Sequence, residues 1–152
     1  VKEHIHTAYK GEIYGISFFS YFANNYTDKS HYQLWEALID VEVLTAKLLE
    51  PYLDKHSIEF DKHDTDMQLK GIKDAKFWVD LPWNQLVQTL TNWVEPYEEK
   101  YRLWAEDAKE DIHAFTLIAD HETAIFQCWK AEINGTSGVP ILLRFIKQYS
   151  TV

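Results

Sequence analysis

The segment from Ile112 to Ile133, IHAFTLIADHETAIFQCWKAEI, reads as one long helix. Phe115, Ile118, Ala119, Ile125, Phe126, Trp129 and Ile133 recur at steps of three and four, the period of one helical face. Glu122 falls on that stripe, four residues after Ile118 and four before Phe126, and His121 stands beside it in line with Leu117 and Cys128. A carboxylate at mid-helix on an apolar face is costly to bury unless it is paired or metal-bound. The question is whether other helices bring matching carboxylates to the same depth.

Upstream, Trp83 to Ala108 predicts a helix with Leu86, Leu90, Val94, Tyr97, Tyr101 and Trp104 on its inner side. Glu98 is in phase with them, while Glu95 and Glu99 lie nearer the edge. Pro96 cannot donate its N–H and is expected to kink or break the helix, so the choice among the three glutamates stays open. Residues 66–79 predict a shorter, weaker helix on Leu69, Ile72, Ala75, Phe77 and Trp78, ended by Pro82. Pro51 and the polar segment from Asp54 to Asp66 separate it from a long helix running from an N-cap at Ser30 to Tyr52. That helix has Trp35, Leu38, Val41, Thr45, Leu48 and Leu49 on its stripe, with Glu42 among them and Glu36 and Asp40 turned away. The first helix, 7–24, carries Tyr9, Ile13, Ile16, Phe19 and Ala23 on one face, and Glu12 with them. Its short link to the next helix predicts antiparallel packing. Taken alone, Glu12 reads as a solvated side chain of the first turns. Downstream, Gly135 predicts a helix C-cap and Pro140 the start of a short last helix through Tyr149 that packs on the end of the others.

The 152 residues suffice for one domain, 1–152, with a sizeable core, and the 46% apolar content argues against disorder. Five Gly and four Pro leave room for long helices. A net charge of −9 argues against a basic groove for nucleic acid or an anionic membrane face, and mildly favours cation binding. A single Cys excludes an internal disulfide and a cysteine-based zinc site. No apolar run has the length of a membrane span. The opening VKEHIH is charged and lacks an apolar leader stretch, which predicts a cytoplasmic protein.

Four predicted long helices thus carry one in-phase glutamate each: Glu12, Glu42, Glu98 (or Glu95) and Glu122. In this pattern the chain resembles the ferritin-like superfamily, and most closely the rubrerythrin-type bundle, in which two helices give a Glu and two give Glu-x-x-His. GEIYGISFFSYFA matches a Glu-bearing, aromatic-rich first helix, and WEALIDVEVLTAKLL and FTLIADHETAIF resemble the Glu-x-x-His segments. The resemblance covers 7–133 and departs at both histidines, which are Thr45 and Ile125 here. It implies an all-α fold: an up-down-down-up four-helix bundle with a long crossover between the second and third helices and a short C-terminal fifth helix. It also implies a homodimer and a di-iron or di-manganese centre, with Glu12 and Glu98 as terminal ligands and Glu42 and Glu122 as bridges. His121 could replace a missing imidazole only after a local distortion such as a π-bulge. Tyr9, Tyr97 or Tyr101 could hydrogen-bond a ligand there or carry an electron.

Three function classes follow. In the first, the frame is kept and the di-metal site is degenerate or lost, leaving no cofactor and a module for a small molecule or a protein. In the second, a working iron or manganese carboxylate site acts as oxidase, peroxidase or iron-handling centre on Glu12, Glu42, Glu98 and Glu122. The third is a metal-free helical enzyme or small-molecule binder using a glutamate pair or Cys128, although a Cys on an apolar helix reads first as plain core.

Overall fold

The computed structural model describes residues 1–151, and among these the chain is all-α. Six α-helices follow one another: α1 (Lys2–Asn25), α2 (Tyr32–Lys55), α3 (Thr65–Trp78), α4 (Trp83–Asp107), α5 (Ile112–Ile133) and α6 (Val139–Ser150). No helix among the described residues is long and apolar enough to cross a membrane. The helices form two compact units, Val1–Asp80 and Leu81–Val152.

In the first unit α1 begins at Lys2, five residues before the position expected from the sequence. Ile5 and Ala8 are buried and extend the apolar face towards the N-terminus. A 3-10 turn, Lys29–His31, separates α1 from α2. Asp28 caps this turn through the Ser30 N–H, so Ser30 is not the helix N-cap. The chain then reverses. Phe22 stacks on Trp35 with ring centroids 4.8 Å apart, and Tyr9 donates to Glu50 at the far end, so pairing indices rise on one helix as they fall on the other. Pro51 does not stop α2, which continues to Lys55. A proline on an exposed helical face forfeits one hydrogen bond, and the carbonyl it frees can be hydrated.

The crossover segment contains α3, close to the short helix expected at 66–79, and α3 packs on α1. Asp64 caps α3 by accepting from the Met67 N–H at 3.2 Å, as an N-cap aspartate does. Tyr14 donates to Asp74 at 2.6 Å, and Phe18 meets Trp78 edge-to-face. Gly71 permits this approach: a Cβ there would lie 2.5 Å from the Tyr14 carbonyl oxygen. Of the apolar residues expected inside α3, Ala75 is buried, whereas Leu69 and Phe77 are exposed. Helix α3 offers α1 a narrow face of small residues.

In the second unit, Pro82 precedes α4 as its N-cap residue rather than ending α3, which stops at Trp78. Pro96 neither breaks α4 nor removes Glu98 from its buried face. Helix α5 spans Ile112–Ile133 as expected and runs antiparallel to α4, since Trp83 meets Trp129 and Trp104 meets Phe115. Gly135, at φ +80°, closes α5: the Thr136 N–H bonds the Ala131 carbonyl at 3.0 Å and the Gly135 N–H bonds that of Glu132 at 3.1 Å. This is the Schellman pattern, in which the left-handed residue is glycine because it has no Cβ to strain. Helix α6 does not sit on an end. It lies back along α5, with Phe145 edge-on to His121 and Tyr149 donating to Asp120.

Candidate functional site

Glu12 and Glu42 come together on neighbouring helices of the first unit. Because α1 starts at Lys2, Glu12 lies in its middle, and only 3% of the residue is exposed. The solvated reading of Glu12 therefore fails. Glu42 sits in the stripe of Leu38, Val41, Thr45 and Leu49 and is 5% exposed. An oxygen of one carboxylate lies within 4.8 Å of an oxygen of the other. Two carboxylates so close in a buried setting cannot both be ionised without nearby positive charge, or else they hold a proton. Gly15, one turn along α1 from Glu12, faces the Glu42 carboxylate directly: a Cβ there would come within 2.5 Å of Glu42 Cδ.

The second unit holds the other glutamates in different settings. Glu98 is buried, at 8% exposure, while Glu95 and Glu99 are exposed, which resolves the choice among the three. Its carboxylate accepts from Arg102 Nε at 3.2 Å, Arg102 Nη2 at 3.4 Å and Thr123 Oγ1 at 3.0 Å. Arg102 stands one turn on along α4 and reaches Glu106 as well, at 4.0 Å. The hydrogen bond and charge of Glu98 raise the guanidinium's hold on its proton still further. Glu98 thus has a cation of the protein's own beside it.

On α5 the order of burial differs from the expectation. His121 is 2% exposed and Glu122 is intermediate, although the spacing of apolar residues puts Glu122 on the stripe and His121 beside it. The buried face consists of Ala114, Leu117, Ile118, Ala119, His121, Ala124, Ile125 and Cys128 together with Phe115 and Trp129. Phe126 is intermediate and Ile133 exposed. His121 Nε2 stands 3.8 Å from Glu122 Oε2, an ion-pair distance if the imidazole is protonated. No π-bulge distorts α5.

Other candidates fall away. Thr45 and Ile125, where the resemblance would put histidines, are both buried. The Tyr9 hydroxyl is taken by Glu50 at 3.1 Å, and Glu50 also meets Lys62 at 3.5 Å. Tyr97 is exposed. Cys128 is fully buried, and burial, with Glu132 adding to it, pushes its thiol far up, so it remains a thiol at neutral pH and is no nucleophile. The cysteine form of a metal-free enzyme has no support here.

Three contributors escaped the sequence reading: Arg102, Thr123 and Gly15. The four-residue step from Glu98 to Arg102 is a readable signal of an ion pair on one helix. The contacts of Thr123 with Glu98 and of Gly15 with Glu42 join different helices and leave no such signal. None of the protein-family models, curated proteins or solved structures compared with the chain matches it.

Proposed function

We propose that the protein is an atypical ferritin-like helical protein with a reduced carboxylate site that binds a hard divalent cation, iron(II) or manganese(II). One observation carries the reading: Glu12 and Glu42 are both buried and hold carboxylate oxygens within 4.8 Å of each other. A dication relieves the repulsion of such a pair, and oxygen donors suit iron(II) and manganese(II). The resemblance gives the remaining ligand positions to Glu98 and Glu122, which are in helical phase in the sequence. His121, which stands beside that stripe, is the nitrogen donor this reading proposes for the role left vacant by Thr45 and Ile125. The homodimer implied by the resemblance belongs to the same proposal.

The pairing of Glu98 with Arg102 favours a second reading, that of a frame whose metal chemistry has been lost. There a guanidinium neutralises a glutamate that the family pattern gives to a metal. In this reading the chain serves as a binding module.

Metal analysis separates the two. Protein purified without chelators and reloaded anaerobically with Fe(II) or Mn(II) is expected to retain stoichiometric metal. Glu12→Gln and Glu42→Gln should each abolish retention while leaving the helical circular dichroism unchanged. A wild-type protein that stays folded and keeps no metal after reloading overturns the cation reading and leaves the module.

A further inference from the structure

We infer that Gly15 is a positioning residue: its missing side chain is the seat of the Glu42 carboxylate, and it keeps that carboxylate beside Glu12. The consequence for cation binding rests on the proposed function; the positioning itself does not.

The geometry is specific to the carboxylate end of Glu42. A Cβ built on Gly15 would lie 2.5 Å from Cδ, 2.5 Å from Oε1 and 2.7 Å from Oε2, so all three terminal atoms face the bare Cα. Real Cβ atoms do not approach so closely, and one of the two groups would have to move. Glu42 is flexible in principle, but it is buried, and a new rotamer would need space among well-packed neighbours. The easier result of adding a methyl group is a carboxylate displaced from its place next to Glu12.

Glycine is also a poor choice for the middle of a helix on local grounds, because it loses more backbone freedom on folding than alanine does. Gly11, four residues earlier on the same helix, has no atom within 4 Å of where its Cβ would stand. Space therefore requires glycine at 15 and not at 11. Gly15 lies three residues from Glu12, on the same face of α1, next to the pair it would organise.

The test has two readouts on five proteins: wild type, Gly11→Ala, Gly15→Ala, Glu42→Ala and the Gly15→Ala/Glu42→Ala double variant. Titration with Mn(II) reports cation affinity. Thermal unfolding of the metal-free proteins reports whether the methyl group collides with the carboxylate. Gly15→Ala is expected to weaken Mn(II) binding about 10–100-fold, the usual consequence of disturbing a group that orients a ligand. It should lower the thermal midpoint when Glu42 is present and raise it when Glu42 is alanine, whereas Gly11→Ala should raise the midpoint and leave Mn(II) affinity unchanged. If Gly15→Ala alone fails to fold and the double variant folds, the same collision is demonstrated. A midpoint raised by Gly15→Ala in the wild-type background overturns the inference, as does unchanged Mn(II) affinity, or a double variant that fails to fold while Glu42→Ala folds. A wild type that binds no Mn(II) overturns the cation reading instead, and the midpoints still decide the role of Gly15.

Discussion

Thr123 on α5 donates its hydroxyl to Glu98 on α4, 3.0 Å from Oγ1 to Oε2, and it is the same oxygen that Arg102 Nε approaches at 3.2 Å. A buried carboxylate on one helix is thereby tied to its neighbour and neutralised from its own helix. The tie across helices fixes the depth of Glu98, and the guanidinium on the rim supplies the charge.

Thr123→Val keeps the shape of the side chain and removes this donor. It is expected to cost about 1 kcal/mol, the ordinary net value of a hydrogen bond with a somewhat larger loss where the acceptor is charged. Urea unfolding measures it, and Thr123→Ser should recover most of the loss. Arg102→Ala should also destabilise, and its effect should shrink in high salt because the guanidinium is solvent-exposed.

Two glycines in the first unit should respond to alanine with opposite signs. Gly71→Ala drives a methyl group to 2.5 Å from the Tyr14 carbonyl oxygen, a backbone atom that cannot step aside without moving a helix. A loss of about 1–3 kcal/mol is expected, as for other overpacked interfaces. Gly11→Ala meets nothing within 4 Å and should stabilise by about 0.5–1 kcal/mol. Equal effects in chemical denaturation would show that α3 does not depend on this approach.

Alkaline pH should expose the pairing of Tyr149 with Asp120. Burial first, then the hydrogen bond to Asp120 and its charge, push the phenol well above its ordinary value. The unfolded chain loses that proton near the ordinary tyrosine value of about 10, while the folded chain keeps it. The contribution is therefore fully present below about pH 10 and declines as the pH rises from there towards the folded value. Tyr9, held by burial and by Glu50, acts in the same direction. Stability measured across this range should fall, and Tyr149→Phe should flatten the fall after a loss of about 1 kcal/mol at neutral pH.

Gly135→Ala places a Cβ in the left-handed region at φ +80°. The expected cost is about 1–2 kcal/mol, the steric penalty of that conformation for an L-residue. Gly135→Asn should cost less, since asparagine tolerates this region better, and thermal unfolding can rank the two.

The sequence is most legible where large apolar residues mark the inner face. Glu42 stands among Leu38, Val41 and Leu49, and its burial follows from the count alone. Helix α5 has the expected ends, and Phe115, Ile118, Ala119, Ile125 and Trp129 of its expected stripe are buried. Phe126 and Ile133 draw the pattern towards Glu122, whereas the buried face extends the other way through Ala114, Leu117, His121, Ala124 and Cys128. Small residues pack against close neighbours and contribute little to a pattern read from bulky ones. Glu12 is legible only together with its partners on the other helices, and taken alone it looks solvated. The polar run at 2–7 hides the start of α1, and with the start misplaced a mid-helix residue looks like one in a first turn. Contacts such as those of Thr123 with Glu98 and Gly15 with Glu42 depend on how two helices register. No local pattern encodes that register.

The helices of each unit meet their neighbours in chain order: α1 with α2, α4 with α5, and α5 with α6, with α3 returning to α1 from within the same unit. Each such encounter closes only a short length of chain, and topologies of this kind fold in microseconds to milliseconds. Closure of the α1–α2 hairpin brings the carboxylates of Glu12 and Glu42 together, and to the extent that both are ionised at that step their repulsion works against the collapse that buries them. Screening or protonating that pair should then quicken folding as well as favour the native state. A carboxylate pair of this kind is a kinetic hurdle while it is ionised as well as a chemical opportunity.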